Sequence, residues 1–100
     1  MCYNEGNRGI MRLRITAQNR WTLTLLNNRP ILRRKIKTTD FSHGCGILNA
    51  VAKIANEMDH HPDSVTIGFD YIEFILTTHS SGEVSEKDQK LAEEIDKIVS

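Results

Sequence analysis

Cysteines are scarce in this 100-residue sequence, and the two that occur, Cys2 and Cys45, do not form a CxxC pair. A zinc ribbon or a thioredoxin-like redox site needs paired cysteines, so neither class is supported. Isolated cysteines of this kind are typical of free thiols in a reducing compartment. The helical pattern around Cys45 predicts a thiol buried in mid-helix rather than a catalytic one.

Long apolar runs are also missing from the sequence. No stretch approaches the roughly 20 apolar residues that a membrane-spanning helix needs. The first residues lack the apolar middle segment of a signal peptide. We therefore expect a soluble, cytoplasmic protein without a membrane partner.

Two further binding patterns are absent. The glycines of SHGCG, residues 42–46, are not followed by the Lys-Ser/Thr of a phosphate-binding loop, and no HExxH spacing for zinc occurs. The net charge is zero, although residues 1–50 hold nine basic and two acidic side chains and residues 51–100 hold four and eleven. Because the whole domain is not basic, we expect these halves to neutralise each other, within the fold or across subunits, rather than to bind nucleic acid directly.

The first third of the chain is patterned as an N-terminal segment followed by a hairpin. Residues 1–20 show little periodicity and are expected to be a short helix or partly disordered, ahead of a folded domain over residues 21–100. Apolar and polar side chains then alternate on both sides of Asn27-Asn28, a pair that tolerates the positive φ of tight turns. This pattern predicts a β-hairpin over residues 21–37.

The sequence also predicts which side chains in and near the hairpin are buried and which are exposed. Trp21 and Phe41 are expected to be core residues. The basic run Arg33-Arg34-Lys35 is expected to form a solvated strand face.

The rest of the chain is patterned as a helix, two strands and a second helix. Asp40 can cap a helix whose apolar residues recur at helical spacing, and Pro62 requires that helix to end near Asp59. Residues 64–79 alternate as strands with a turn near Gly68, and Ser85-x-x-Asp88 is a capping-box start for the last helix. The order β-β-α-β-β-α predicts an α+β fold, a four-stranded antiparallel sheet with helices packed on one face.

Three of the four histidines can converge in such a fold. His60 and His61 lie at the exit of the first helix and His79 lies at the end of a strand, whereas His43 lies near the start of that helix. From spacing alone, three interpretations stay open: a polar helix terminus, general acid–base chemistry, or a metal site. Adjacent histidines do not naturally point at one metal centre, which counts against the third.

A family resemblance bears on this choice. His60-His61-Pro62, the aromatic Phe69, His79 and Asp88 resemble the signature of the pterin-4a-carbinolamine dehydratases. The stretches TTDF, VAKIANEMDHHPD and TTHSSGEVSEKDQKLAEEID are similar to the family's central helix, fourth strand and last helix, so that the match spans about residues 21–99. Two departures are Asn56, where the family pattern has an acidic or similar residue, and the N-terminal segment, where the family has a longer amphipathic helix.

The resemblance implies an activity and a site. Such enzymes dehydrate a 4a-hydroxytetrahydropterin to the quinonoid dihydropterin, in the recycling of tetrahydrobiopterin, without metal or cofactor. His60, His61 and His79 would be the catalytic acid and base groups. The residues expected to bind the pterin substrate are Glu57, Asp59, Pro62, Thr78 and Asp88.

The resemblance also implies partners. The family is associated with homodimers and homotetramers. Some of its members act as protein-binding scaffolds, such as dimerisation or assembly cofactors, and a non-enzymatic scaffold is therefore the alternative to the enzyme. Intact His60, His61 and His79 favour the enzyme.

Overall fold

A computed structural model describes residues 20–99. Its elements follow in the order β1, β2, α1, β3, β4, α2. Their bounds are Thr22–Leu26, Arg29–Lys37, Phe41–Met58, Ser64–Gly68, Tyr71–Leu76 and Glu86–Val99. The expectation of a short helix or disorder over residues 1–20 falls, except for Arg20, outside the described residues.

The first hairpin is closed by a two-residue turn. Asn27 and Asn28 have φ of 55° and 65°, which is the pattern of a type I′ turn between antiparallel strands. The turn sets the register, so that Leu26 pairs with Arg29 and Leu23 with Leu32. The predicted hairpin is therefore present with the predicted turn residues.

The four strands form one antiparallel sheet in the order β1-β2-β4-β3. Leu32 pairs with Leu76 and Ile36 with Ile72, and both pairs lie on the face covered by the helices. Side chains of the sheet, α1 and α2 form a single apolar cluster on that face. The predicted α+β class, with helices packed on one face of a four-stranded antiparallel sheet, is confirmed.

Helix α1 begins and ends where local chemistry sets its bounds. The Asp40 carboxylate accepts a hydrogen bond from the backbone N–H of His43 at 2.8 Å, as an N-cap does. Asp59 follows the helix in the left-handed region, with φ of 57°, and its N–H bonds the carbonyls of Ala55 and Asn56. Near the helix start, a Cβ on Gly44 would lie 3.3 Å from Ile67, so glycine permits the close approach of α1 to β3.

Helix α2 is held to the sheet by an apolar stripe and by a polar contact. Leu91 and Ile95 are fully buried. Asp96 accepts hydrogen bonds from the Trp21 indole N–H, at 2.8 Å, and from the Arg34 guanidinium. On the solvent side of α2, the hydrogen bond from the Lys97 ammonium lowers the pKa of Glu94.

Three expectations about single side chains were wrong or only partly met. Phe41 is 51% exposed, because it stands at the first turn of α1, beyond the edge of the core. Arg34 does not belong to a solvated face: its side chain is 11% exposed, because strand alternation turns it toward α2 and Asp96. Cys45 is half-buried rather than buried. Trp21, at 4% exposure, is a core residue as expected.

Neither helix within residues 20–99 combines the length and the apolar character needed to cross a membrane.

The turn at Asn28 offers a test of the hairpin. Asn28→Val should lower the free energy of unfolding by about 1–2 kcal/mol, because a β-branched side chain is strained at positive φ. Asn28→Gly should leave it unchanged or raise it slightly. Urea unfolding of the purified variants measures both. A valine variant as stable as the glycine variant would contradict the assigned turn.

Candidate active site

His60 and His61 lie in a non-helical segment that follows the end of α1. The backbone N–H of His60 bonds the Ala55 carbonyl at 3.0 Å, which closes the last turn. His61 and Pro62 follow without helical structure, as expected from the restriction that proline places on the preceding residue. Asp63 then returns the chain to the sheet, because its N–H donates to the Ile75 carbonyl at 2.7 Å. The segment is thus anchored to α1 at one end and to β4 at the other.

A buried carboxylate lies behind this segment. Asp88 is fully buried in the first turn of α2. Its Oδ1 accepts from His60 Nε2 at 2.7 Å, and its Oδ2 accepts from the Thr78 hydroxyl at 2.7 Å and from the Ser85 backbone N–H at 2.9 Å. A buried charge is tolerated only when such donors replace water. Among these donors, His60 is the one that can itself become charged.

Asp88 therefore has two duties. The bond from the Ser85 N–H is one half of a capping box at the start of α2, as the Ser-x-x-Asp spacing predicts. The bond from His60 belongs to the histidine segment. Capping alone does not account for Asp88, because its Oδ1 is hydrogen-bonded to His60, whose side chain is only 12% exposed.

His61 has a different partner from its neighbour. Its Nε2–H donates to Asn56 Oδ1 at 2.8 Å, and both residues are exposed. Asn56 lies one turn earlier on α1, at the position where the family pattern has an acidic or similar residue. The structure therefore answers one question that the sequence left open: the asparagine serves His61, not His60, and supplies an acceptor without a charge.

His79 lies just beyond β4, and both of its ring nitrogens have partners. Nε2 is hydrogen-bonded to the Asp63 carboxylate. Nδ1 accepts from the Arg29 guanidinium at 3.0 Å. The side chain of His79 is 67% exposed, so that this group lies at the rim of the site rather than inside it.

These contacts bring the three candidate histidines to one edge of the domain. Two hydrogen-bonded links join residues 60–63 to residues 78–79. In the first link Asp88 bonds both His60 and Thr78, and in the second Asp63 bonds His79 directly. Glu57 and Asp59 lie exposed at the end of α1, and Pro62 is half-buried between the linked residues. Among the described hydrogen bonds of this network, the carboxylates of Glu57 and Asp59 take no part.

Sequence reasoning missed two members of this network. Asp63 is adjacent to Pro62, so its proximity to the histidines was a usable signal. Arg29 gave no signal, because its contact with His79 depends on how β2 registers against β4. His43 lies at the far end of α1, where its Nδ1 accepts from the Thr39 N–H at 3.0 Å, and it is not part of the site.

Within the part of the chain that the structure describes, no group of three or more His, Cys, Asp or Glu side chains is arranged to hold a metal ion.

A family model supports the resemblance read from these residues. The model described as pterin 4 alpha carbinolamine dehydratase matches residues 9–98. The chain belongs to this family. The match includes all the histidines, carboxylates and hydroxyls of the site described above.

Individual relatives of this chain carry names from the same family. A protein of Mycolicibacterium smegmatis that carries the provisional name pterin-4-alpha-carbinolamine dehydratase is 44% identical over 69 residues, which are 69% of this chain and 72% of the relative. A similarly named protein of Paraburkholderia xenovorans is 37% identical over 84 residues, 84% of each chain.

Solved structures show the same fold. A crystal structure described as a transcriptional coactivator/pterin dehydratase from Brucella melitensis has a TM-score of 0.74 and 29% identity, over 82% of this chain and 84% of that one. A pterin dehydratase-like protein described as a RuBisCO assembly factor of the alpha-carboxysome has a TM-score of 0.66, over 79% and 88% of the two chains. At 19% identity, this second likeness shows the fold alone.

Because the Asp88 carboxylate is buried, we expect a conservative substitution of this residue to have a large effect on stability. Asp88→Asn should lower the free energy of unfolding by about 1–3 kcal/mol, because the new amide places a donor where a buried carboxylate oxygen now accepts. Urea unfolding measures this loss. Asp40→Asn is the matched control, since asparagine caps a helix as well as aspartate and should change little. Equal stability of the Asp88 variant and the wild type would contradict the network.

Proposed function

We propose that the protein dehydrates a 4a-hydroxytetrahydropterin to the quinonoid dihydropterin by histidine general acid–base catalysis, in tetrahydrobiopterin recycling. The observation that carries the proposal is the hydrogen-bonded edge where His60, His61 and His79 meet, with His60 oriented by a fully buried Asp88. A helix terminus that was merely polar would not need a buried carboxylate to orient its imidazole.

The reaction is an elimination that needs one acid and one base. The acid protonates the 4a-hydroxyl, the C4a–O bond breaks, and its electron pair leaves with water. The N5–H bond gives its proton to the base, and its electron pair forms the N5=C4a double bond. One water is lost and no atom changes its overall oxidation state, so the step requires no oxidant or reductant.

The hydrogen bonds suggest how the roles are divided. His79 Nδ1 accepts a hydrogen bond, as a neutral imidazole does, which suits the base. His60 donates to a carboxylate that can balance the charge of an imidazolium, which suits the acid. His61 is the second candidate acid, since Asn56 orients its ring and leaves Nδ1 free of that bond.

The remaining predicted residues are assigned to substrate binding. Thr78 donates to Asp88, and Pro62 is half-buried beside the histidines, so that both would border a bound pterin. Glu57 and Asp59 are exposed carboxylates on the α1 side, able to accept hydrogen bonds from the amino and N–H groups of a pterin ring. The family association with homodimers or homotetramers is proposed for this chain as well.

A non-enzymatic scaffold is the second candidate. Among the described residues, three large apolar side chains are strongly exposed: Leu25 at 63%, Phe41 at 51% and Phe69 at 78%. Exposed apolar side chains are typical of protein contacts when they form a patch. A stable protein partner together with no dehydratase activity would favour this alternative.

The histidines can be tested in a dehydratase assay without added metal. His60→Ala, His79→Ala and the His61→Ala/His79→Ala double variant should each lose activity, by about 10²–10⁴-fold for a lost acid or base. His43→Ala is the matched control and should retain activity, because the described hydrogen bonds of its ring go to Thr39, just before α1, and not to the site. A double variant with full activity would exclude this site, and activity lost to a chelator and restored by zinc would favour a metal site.

Substitution of Asn56 should change how the reaction rate depends on pH. Asn56→Asp places a negative charge at the His61 ring and favours its protonated form. If His61 is an acid, the upper limb of the pH–rate profile should move to higher pH. Asn49→Asp is the matched control, because it adds the same charge on an exposed position of the same helix. Identical profiles for the two variants would show that Asn56 does not tune His61.

A further inference from the structure

We infer that Arg29 is a positioning residue, which holds His79 in the Nε2–H tautomer and occupies the Nδ1 lone pair until the substrate N–H replaces it. The first half of this inference concerns the free protein. The second half rests on the proposed function and names the ring nitrogen of His79 that receives the substrate proton.

The tautomer follows from the donors on each side of the ring. A guanidinium can only donate, so Nδ1 of His79 must accept the bond from Arg29 Nη1 at 3.0 Å. The ring proton then lies on Nε2, where the carboxylate of Asp63 accepts it. Arg29 and Asp63 therefore specify the same tautomer from opposite edges of the imidazole.

The fold holds Arg29 in place through its backbone. Arg29 is the first residue of β2, directly after the type I′ turn, whose two positive-φ residues fix where the strand begins. The carbonyl of the next residue, Pro30, accepts a hydrogen bond from the Thr77 hydroxyl at 3.0 Å, and Thr77 is 3% exposed. Thr77 lies two residues before His79, so this buried bond ties the strand of Arg29 to the segment of His79.

His79 has no ring nitrogen free while both partners are bound. One bond must therefore break before the ring can accept a proton from a substrate. Asp63 is anchored by its backbone bond to Ile75, whereas Arg29 reaches the ring through a long exposed side chain. The bond from Arg29 is the one that a substrate N–H can replace, since it leaves the same lone pair pointing at the incoming donor.

The hydrogen-bond geometry around the ring supports the same role for His79. The charged groups that contact its ring are Arg29 from β2 and Asp63 from the segment before β3, while Asp88 of α2 bonds the neighbouring Thr78 instead. Protonation of Nδ1 would set an N–H against the guanidinium, so Arg29 and a proton compete for the same lone pair.

The first experiment reads the tautomer directly and needs no substrate. Two-dimensional ¹⁵N–¹H NMR of the imidazole groups should show His79 of the wild type as the Nε2–H tautomer with a hydrogen-bonded Nδ1. Arg29→Met should remove the hydrogen-bond shift at Nδ1. Arg29→Gln, which keeps a neutral donor, should restore part of it. Lys37→Met removes an exposed cation from the other end of β2 and should leave the His79 signals unchanged.

The second experiment measures the dehydratase reaction across pH. Arg29→Met should lower kcat about three- to tenfold, the size of one lost hydrogen bond. The lower limb of its pH–rate profile should move to higher pH, because His79 is more easily protonated without the guanidinium. Arg29→Lys keeps the charge and should return that limb toward the wild-type position.

Two results would overturn the inference. One is an Nδ1–H tautomer for His79 in the wild type, or a hydrogen-bond shift at Nδ1 that is unchanged in Arg29→Met. The other is a rise in KM for Arg29→Met with kcat and the pH profile unchanged, which would make Arg29 a substrate contact. A wild type without dehydratase activity would refute the proposed function and the substrate half of the inference, and the NMR result would still decide the role of Arg29 in the free protein.

Discussion

The site depends on one buried charge. Asp88 lies fully inside the domain, and its carboxylate accepts hydrogen bonds from three parts of the chain: His60 after α1, Thr78 after β4 and Ser85 before α2. Removing a carboxylate from water costs several kcal/mol unless its lone pairs are satisfied. The energetic demand of this single group therefore brings together three segments that are distant in sequence, and the histidine pair is held where that demand places it.

The three histidines of the site are not equivalent, although two of them are adjacent. His60 faces a buried carboxylate, His61 faces a neutral amide, and His79 lies between a carboxylate and a guanidinium. An elimination needs an acid and a base at the same pH, and identical imidazoles would compete for the same role. Different hydrogen-bond partners are the means by which this fold can give similar side chains different duties.

The sequence predicted the features that depend on local chemistry. The positive φ of Asn27 and Asn28, the capping by Asp40 and the capping box at Ser85 each require only a few consecutive residues. The convergence of the histidines was predicted from their places at a helix exit and a strand end. The resemblance to a family pattern then favoured catalysis among the open interpretations, and the comparisons show that family.

The features that were missed depend on register and on tertiary packing. Arg34 was assigned to solvent because its neighbours are basic, yet the alternation of β2 turns it toward Asp96. Phe41 was assigned to the core by its residue type, but its place on the first turn of α1 leaves it exposed. Arg29 contacts His79, which lies 50 residues later in the sequence, and no local sequence pattern predicts a contact between residues so far apart.

An enzyme and a scaffold on this fold would differ most at the exposed contacts. The capping of α2 by Asp88 would be retained by either, so that contact does not separate them. The contacts of His61 and of His79 are exposed, and exposed polar pairs contribute only about 0–1 kcal/mol to stability. Folding therefore has little use for Asn56, Asp63 or Arg29 at these positions, whereas orienting two imidazoles has a direct use for all three. The exposed contacts of the rim, together with the orientation of His60 by Asp88, are what favour catalysis.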